Sequence, residues 1–118
     1  MLTREDIFKH VKENYGTLPD YPFRKFPNFA VLRHASNGKW YGLVMNVLPE
    51  KLGLDGNEKI DILNLKCPPE LNAGLRNGRD ILPAYHMNKE HWISIVLKRI
   101  DPKGEVYHLI EESFNLTK

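Results

Sequence analysis

Between Arg4 and Tyr15 the apolar residues Ile7, Phe8, Val11 and Tyr15 fall on one stripe at helical spacing, with Arg4, Glu5, Lys9, Lys12 and Glu13 left to solvent. Thr3 is placed to cap this helix, since its hydroxyl reaches the free N–H of Asp6, and Asp6 suits the positive end of the helix dipole. Gly16 ends it, because a helix commonly closes on a left-handed residue. Aromatic and β-branched runs then predict strands over Tyr21 to Lys25, Phe29 to His34 and Trp40 to Val47. The link Ser36-Asn37-Gly38-Lys39 joins the last two as a hairpin, because Asn and Gly tolerate positive φ.

Residues 48–58 hold Pro49, Gly53 and Gly56 and read as a loop, after which Lys59 to Leu65 alternates as a further strand. Pro68 and Pro69 open a short helix that carries Leu71 and Leu75 and stops at Gly78. Ile81 to Tyr85, broken by Pro83, is at best an edge strand, and His91 to Leu97 is another strand. Asp101-Pro102 begins a last helix with Val106, Leu109, Ile110 and Phe114 as its apolar stripe. The fold class expected is α+β: about five antiparallel strands in sequential order, covered on one face by N- and C-terminal helices plus a short middle helix. At 118 residues with 42% apolar content, a single domain over 1–118 is expected.

Cys67 is the lone cysteine, so neither an internal disulfide nor a cysteine-built metal cage is available to one chain. The start MLTREDIFKH puts charges where a signal peptide needs apolar residues, and no apolar run is long enough to span a bilayer. A monomer in the cytoplasm, away from membranes, is expected. The net charge of +2 is small, but it is unevenly spread. From Tyr21 to Pro49 there is no acid, against Arg24, Lys25, Arg33 and Lys39, with His34 alongside; residues 101–118 carry a balance of −2. One side should be basic and one end acidic.

The densest polar and aromatic segment is Pro83-Ala84-Tyr85-His86-Met87-Asn88-Lys89-Glu90-His91-Trp92. Such a cluster can hold phosphates and stack on bases. The alternative is that Tyr85 and Trp92 fill the core while His86, Asn88 and Lys89 hydrogen-bond a turn between two strands. The spacing of five between His86 and His91 suits neither a helical pair nor one strand face, which argues against a metal site. There is no Ser-centred elbow, P-loop or dinucleotide turn, and Cys67 sits just before two prolines, so no catalytic residue and no cofactor are assigned. Arg33, His34, Lys39 and Trp40 flank the hairpin turn and would present cations with an aromatic, like the wing of a nucleic-acid-binding domain; an ordinary solvated turn is the alternative.

The run from Pro83 through Trp92 to Ile93-Ser94-Ile95 resembles the signature of the MmcQ/YjbR family of small bacterial proteins. The likeness extends to the first helix, the Pro22 to Lys25 segment, the Cys67 to Leu75 helix entry, and Leu109 to Leu116 with Ser113. It implies a fold similar to bacterial frataxin (CyaY-like), with two terminal helices on a curved antiparallel sheet, and DNA binding through paired wing-like hairpins. Carried over, the motif points to His86, Met87, Asn88, Lys89, His91 and Trp92, with the hairpin tip near Lys39 as a second contact. Glu90 stands where relatives commonly have a second lysine, which removes one cation. Iron binding would need an acidic ridge, and the first helix mixes its acids with Arg4, Lys9 and Lys12. The residues therefore lead to a non-enzymatic, regulatory DNA-binding domain that uses Arg24, Lys25, Arg33, His34, Lys39, Trp40, His86, Asn88, Lys89, His91 and Trp92. The competing readings are a protein-interaction module that recruits a protein partner, and a small-ligand or metal binder.

Overall fold

The computed structural model describes residues 1–101 and 103–118; Pro102, where the last helix was expected to begin, lies outside the described residues. Helix α1 spans Arg4–Tyr15 with the expected cap: Thr3 accepts from the Asp6 N–H, Asp6 accepts from the Thr3 N–H, and Gly16 closes the helix at φ 68°. Strands β1 (Ala30–Arg33) and β2 (Trp40–Val47) form the hairpin, followed by a 3₁₀ turn (Pro49–Leu52), β3 (Ile60–Lys66) and α2 (Pro69–Leu75). Then come β4 (Ile81–Pro83), β5 (Trp92–Val96) and α3 (Lys103–Leu116). The result is an α+β fold of three helices and five antiparallel strands.

Three expectations are corrected. The sheet order is β1-β2-β3-β5-β4, not sequential. After β3 the chain passes through α2 to the far rim, and β5 returns between β3 and β4, antiparallel to both. Pro83 explains the exchange: without an N–H it cannot serve an inner strand, whereas Ile93 to Val96 can bond on both sides. The segment Tyr21 to Lys25 is not a strand; it turns back on itself, and only Asp20 pairs with Val31. Helix α2 ends at Leu75, before Gly78, and Leu71 is 48% exposed while Asn72 is the buried residue.

All three helices lie on one face of the sheet. There Ile7, Val11, Val106, Leu109 and Ile110 pack on Leu32, Leu63, Leu65, Ile93 and Ile95, with Leu75 at the margin. The opposite face was expected to stay open, yet it is apolar too. Leu43, Met45, Val47, Ile60, Ile62 and Val96 line it, and the runs in β2 and β3 are close to continuously hydrophobic for that reason. Among the described residues no α-helix covers them. They are roofed by three loop segments that contribute Phe23 and Phe29, Leu52 and Leu54, and Tyr85 and Met87.

Candidate nucleic-acid interface

The segment between β4 and β5 is fixed at both ends and free in the middle. At its start, Asn64 and Ser94 stand side by side on the loop-covered face of β3 and β5, buried and polar. The Tyr85 N–H donates to Ser94 Oγ (2.8 Å), the Ser94 hydroxyl donates to Asn64 Oδ1 (2.5 Å), and Asn64 Nδ2 donates to the Tyr85 carbonyl (2.9 Å). At its end, Asn72 Nδ2 donates to the carbonyls of Glu90 and Trp92, both at 3.0 Å, and the Cys67 N–H donates to the His91 carbonyl at 2.9 Å. Asn88 organises the turn between them: its Oδ1 accepts from the N–H groups of Glu90 (2.8 Å) and His91 (3.0 Å). His86, Asn88 and Lys89 are left exposed. His86 takes φ 60°, the one non-glycine at positive φ among the described residues.

The loop before β1 supplies the facing wall. Phe23, Phe26 and Phe29 recur every third residue, with Phe26 stacked on Phe29 (4.7 Å between centroids, 16°) and Phe23 edge-on to Trp40 (5.9 Å, 82°). These rings, with Leu43 and Met45 from the sheet and His86, Met87 and Asn88 from the β4–β5 segment, line an open pocket of ≈ 420 Å³. Two smaller clefts lie close by in the chain. One, next to Phe26 and Phe29, holds Lys25 and Lys59. The other, next to Tyr85, holds Lys51 and Lys89. All four lysines are exposed, and among the described residues none of them enters an ion pair. A larger cleft of ≈ 620 Å³ beside Gly16 and Gly38 is lined by one arginine, Arg33, already paired with Asp20.

Apart from His34, the residues singled out from the sequence divide into three groups. Trp40, His86 and Asn88 meet in the aromatic pocket, and Arg24, Lys25 and Lys89 are exposed on the segments that wall it. Arg33 lies over Trp40 (5.9 Å) and is neutralised by Asp20, while Lys39 is exposed at the hairpin. His91 and Trp92 are half-buried, with their carbonyls held by Cys67 and Asn72.

His34 has to be withdrawn as a contact residue. It is 6% exposed, its Nε2 is 2.8 Å from Thr117 Oγ1, and its ring lies against Phe114. Burial holds its imidazole below the ordinary range, and the nearby Lys118 and Lys39 charges add to that against a backbone hydrogen bond at Phe114. The hairpin tip is likewise docked, with Asn37 Nδ2 donating to the Thr117 carbonyl at 3.2 Å.

Sequence reasoning passed over Phe23, Phe26, Phe29, Lys51 and Lys59. The repeat of phenylalanine at every third position was the available signal. Cys67 is buried, and burial pushes its thiol up, so it stays protonated near neutral pH. Among the described residues, no three His, Cys, Asp or Glu side chains gather as a metal ion would require.

The YjbR family model matches residues 13–116, nearly the whole chain and both walls of the pocket. The chain belongs to the YjbR family. Over its full 118 residues it is 76% identical to YyaQ of Bacillus subtilis, covering all of both proteins. To YjbR of Escherichia coli K12 it is 36% identical over 53 residues, 44% of this chain and 45% of that one. The fold is shared with a crystal structure from Pseudomonas syringae at TM-score 0.96 and 44% identity, over 99% of this chain and 100% of the other. A Deinococcus radiodurans structure with a DUF419 domain matches at TM-score 0.73 and 27% identity, over 98% of this chain and 78% of that one.

Proposed function

We propose that this YjbR-family chain is a non-enzymatic, regulatory DNA-binding domain of the cytoplasm that holds DNA against its loop-covered sheet face. One observation carries the reading: near an aromatic pocket lie two clefts whose lysines, among the described residues, have no acidic ion-pair partner. Unpaired cations beside a ring platform are the combination that grips a phosphate backbone and stacks on its bases. Lys25 and Lys59 belong to the cleft beside Phe26 and Phe29, and Lys51 and Lys89 to the cleft beside Tyr85, so a strand reaching from the pocket into either cleft would meet positive charge. Docking of the hairpin tip on Thr117 moves the contact away from a projecting wing and towards the loops over 21–29 and 86–89.

The test is fluorescence anisotropy with labelled single-stranded and duplex DNA at two salt concentrations, using the parent protein and a Lys25→Ala/Lys59→Ala/Lys89→Ala variant. Binding should fall steeply with salt, and the slope of log K against log salt should drop by about 0.7–0.9 for each lysine removed. Binding absent at low salt, or indifferent to salt and to the variant, would overturn the reading in favour of a protein-interaction module.

A further inference from the structure

The pocket has a more selective shape than charge attraction alone requires. At ≈ 420 Å³ it falls at the small end of the roughly 300–1,000 Å³ typical of ligand sites, enough for one flat ring system and too little for a folded peptide. Its walls are rings and a thioether, and Phe26 is 51% exposed although its other face is stacked on Phe29. A ring half-covered in this way offers its free face to a second ring.

Two exposed polar side chains at the pocket are free to take a ligand as partner. Asn88 uses only Oδ1 within its turn, and among the described residues its side-chain N–H groups donate to nothing. The His86 ring makes no hydrogen bond there, and its backbone is held in the left-handed region. Strain of this kind is retained where the conformation serves a purpose.

From these features we infer that the pocket binds one planar, uncharged heteroaromatic ring of the nucleobase class. The ring stacks on Phe26 while its edge meets Asn88 and His86. Such a ring can arrive on a free nucleoside or as an unstacked base of a strand, and the inference depends on the DNA reading only for the second source. Duplex DNA keeps its bases stacked and paired, so a single strand should be preferred.

Isotope-labelled protein would be titrated with adenosine, with thymidine, and with cyclohexanol as an apolar non-planar control. Amide shifts would be followed at His86, Met87 and Asn88. A short thymidine oligomer and an abasic strand of equal length would be compared by anisotropy. Saturable shifts are expected with the nucleosides and not with cyclohexanol. Phe26→Ala should weaken nucleoside binding about tenfold, whereas Phe26→Trp preserves it, and the thymidine strand should bind about tenfold tighter than the abasic one.

Equal response to cyclohexanol, or a Phe26→Ala variant that binds as well as the parent, would overturn the inference; Phe26 is exposed enough that its removal leaves the fold intact. Equal, salt-sensitive binding of both strands, with no nucleoside response, would leave the DNA reading standing and remove the base slot. Nucleoside binding with neither strand bound would keep the slot and remove the DNA reading.

Discussion

His34 illustrates how a residue type suggests one role and its surroundings assign another. Next to a hairpin turn it reads as a contact group, yet its side chain reaches back into the protein, bonds Thr117 and packs on Phe114. Because the folded state favours neutral imidazole, its pKa is lower folded than unfolded. The unfolded chain therefore takes up the proton first as pH falls. The stability from this site is complete above about pH 6.5, the ordinary histidine value, and drains away below it. His10, also held down by burial, adds an effect of the same sign. Urea midpoints measured at several pH values should fall on acidification, and His34→Gln should flatten the profile relative to the parent while lowering stability near neutrality.

At the scale of elements, Ser113 shows how a helix can be set into a sheet. The β2–β3 ladder ends at the Gly42 and Leu65 pair, and Tyr41 with Lys66 would come next. There the buried Ser113 hydroxyl of α3 intervenes, donating to the Tyr41 carbonyl (2.5 Å) and accepting from the Lys66 N–H (2.9 Å). Ser113→Ala would leave the buried Tyr41 carbonyl and the part-buried Lys66 N–H without partners, for an expected loss of about 3 kcal/mol in chemical denaturation. The elements themselves were readable where periodicity and capping agree. Helix α1, with Thr3, Asp6 and Gly16, is the plainest case, and β2 and the stripe of α3 follow it.

What could not be read was anything decided by competition between distant segments. Tyr21 to Lys25 has strand-like composition, but its Phe23 ring is worth more as part of a lid over Leu43 and Met45 than in a sixth strand. The strand exchange at β5 likewise depends on which segment can bond on two sides, a comparison no local window makes. For the candidate site, the motif from His86 to Trp92 was visible as a cluster. Its division into tethered ends and an exposed middle required Asn64 and Asn72, which lie far from it in sequence, together with Ser94 just past its end.

For the whole molecule, the two faces of the sheet are finished differently. One is sealed by helices whose backbones satisfy themselves; the other is roofed by loops held by isolated turn hydrogen bonds rather than by a continuous ladder. Local opening should therefore be unequal. Hydrogen exchange is expected to be fast over residues 21–29 and 86–91 and slowest in β3, β5 and the middle of α3, and nucleic acid or nucleoside should slow the loops without altering the strands.

The rims of the same sheet have a consequence for how copies of this chain behave when crowded together. The outer edge of β1 is capped by the Asp20 pairing with Val31, and the opposite rim, β4, is three residues long and ends in Pro83. An open rim invites a neighbour to add a strand, the first step towards ordered aggregates. Here both rims are blunted. Replacing Pro83 by a residue with an N–H would reopen one of them, so the proline that fixes the strand order also keeps separate molecules from zipping together.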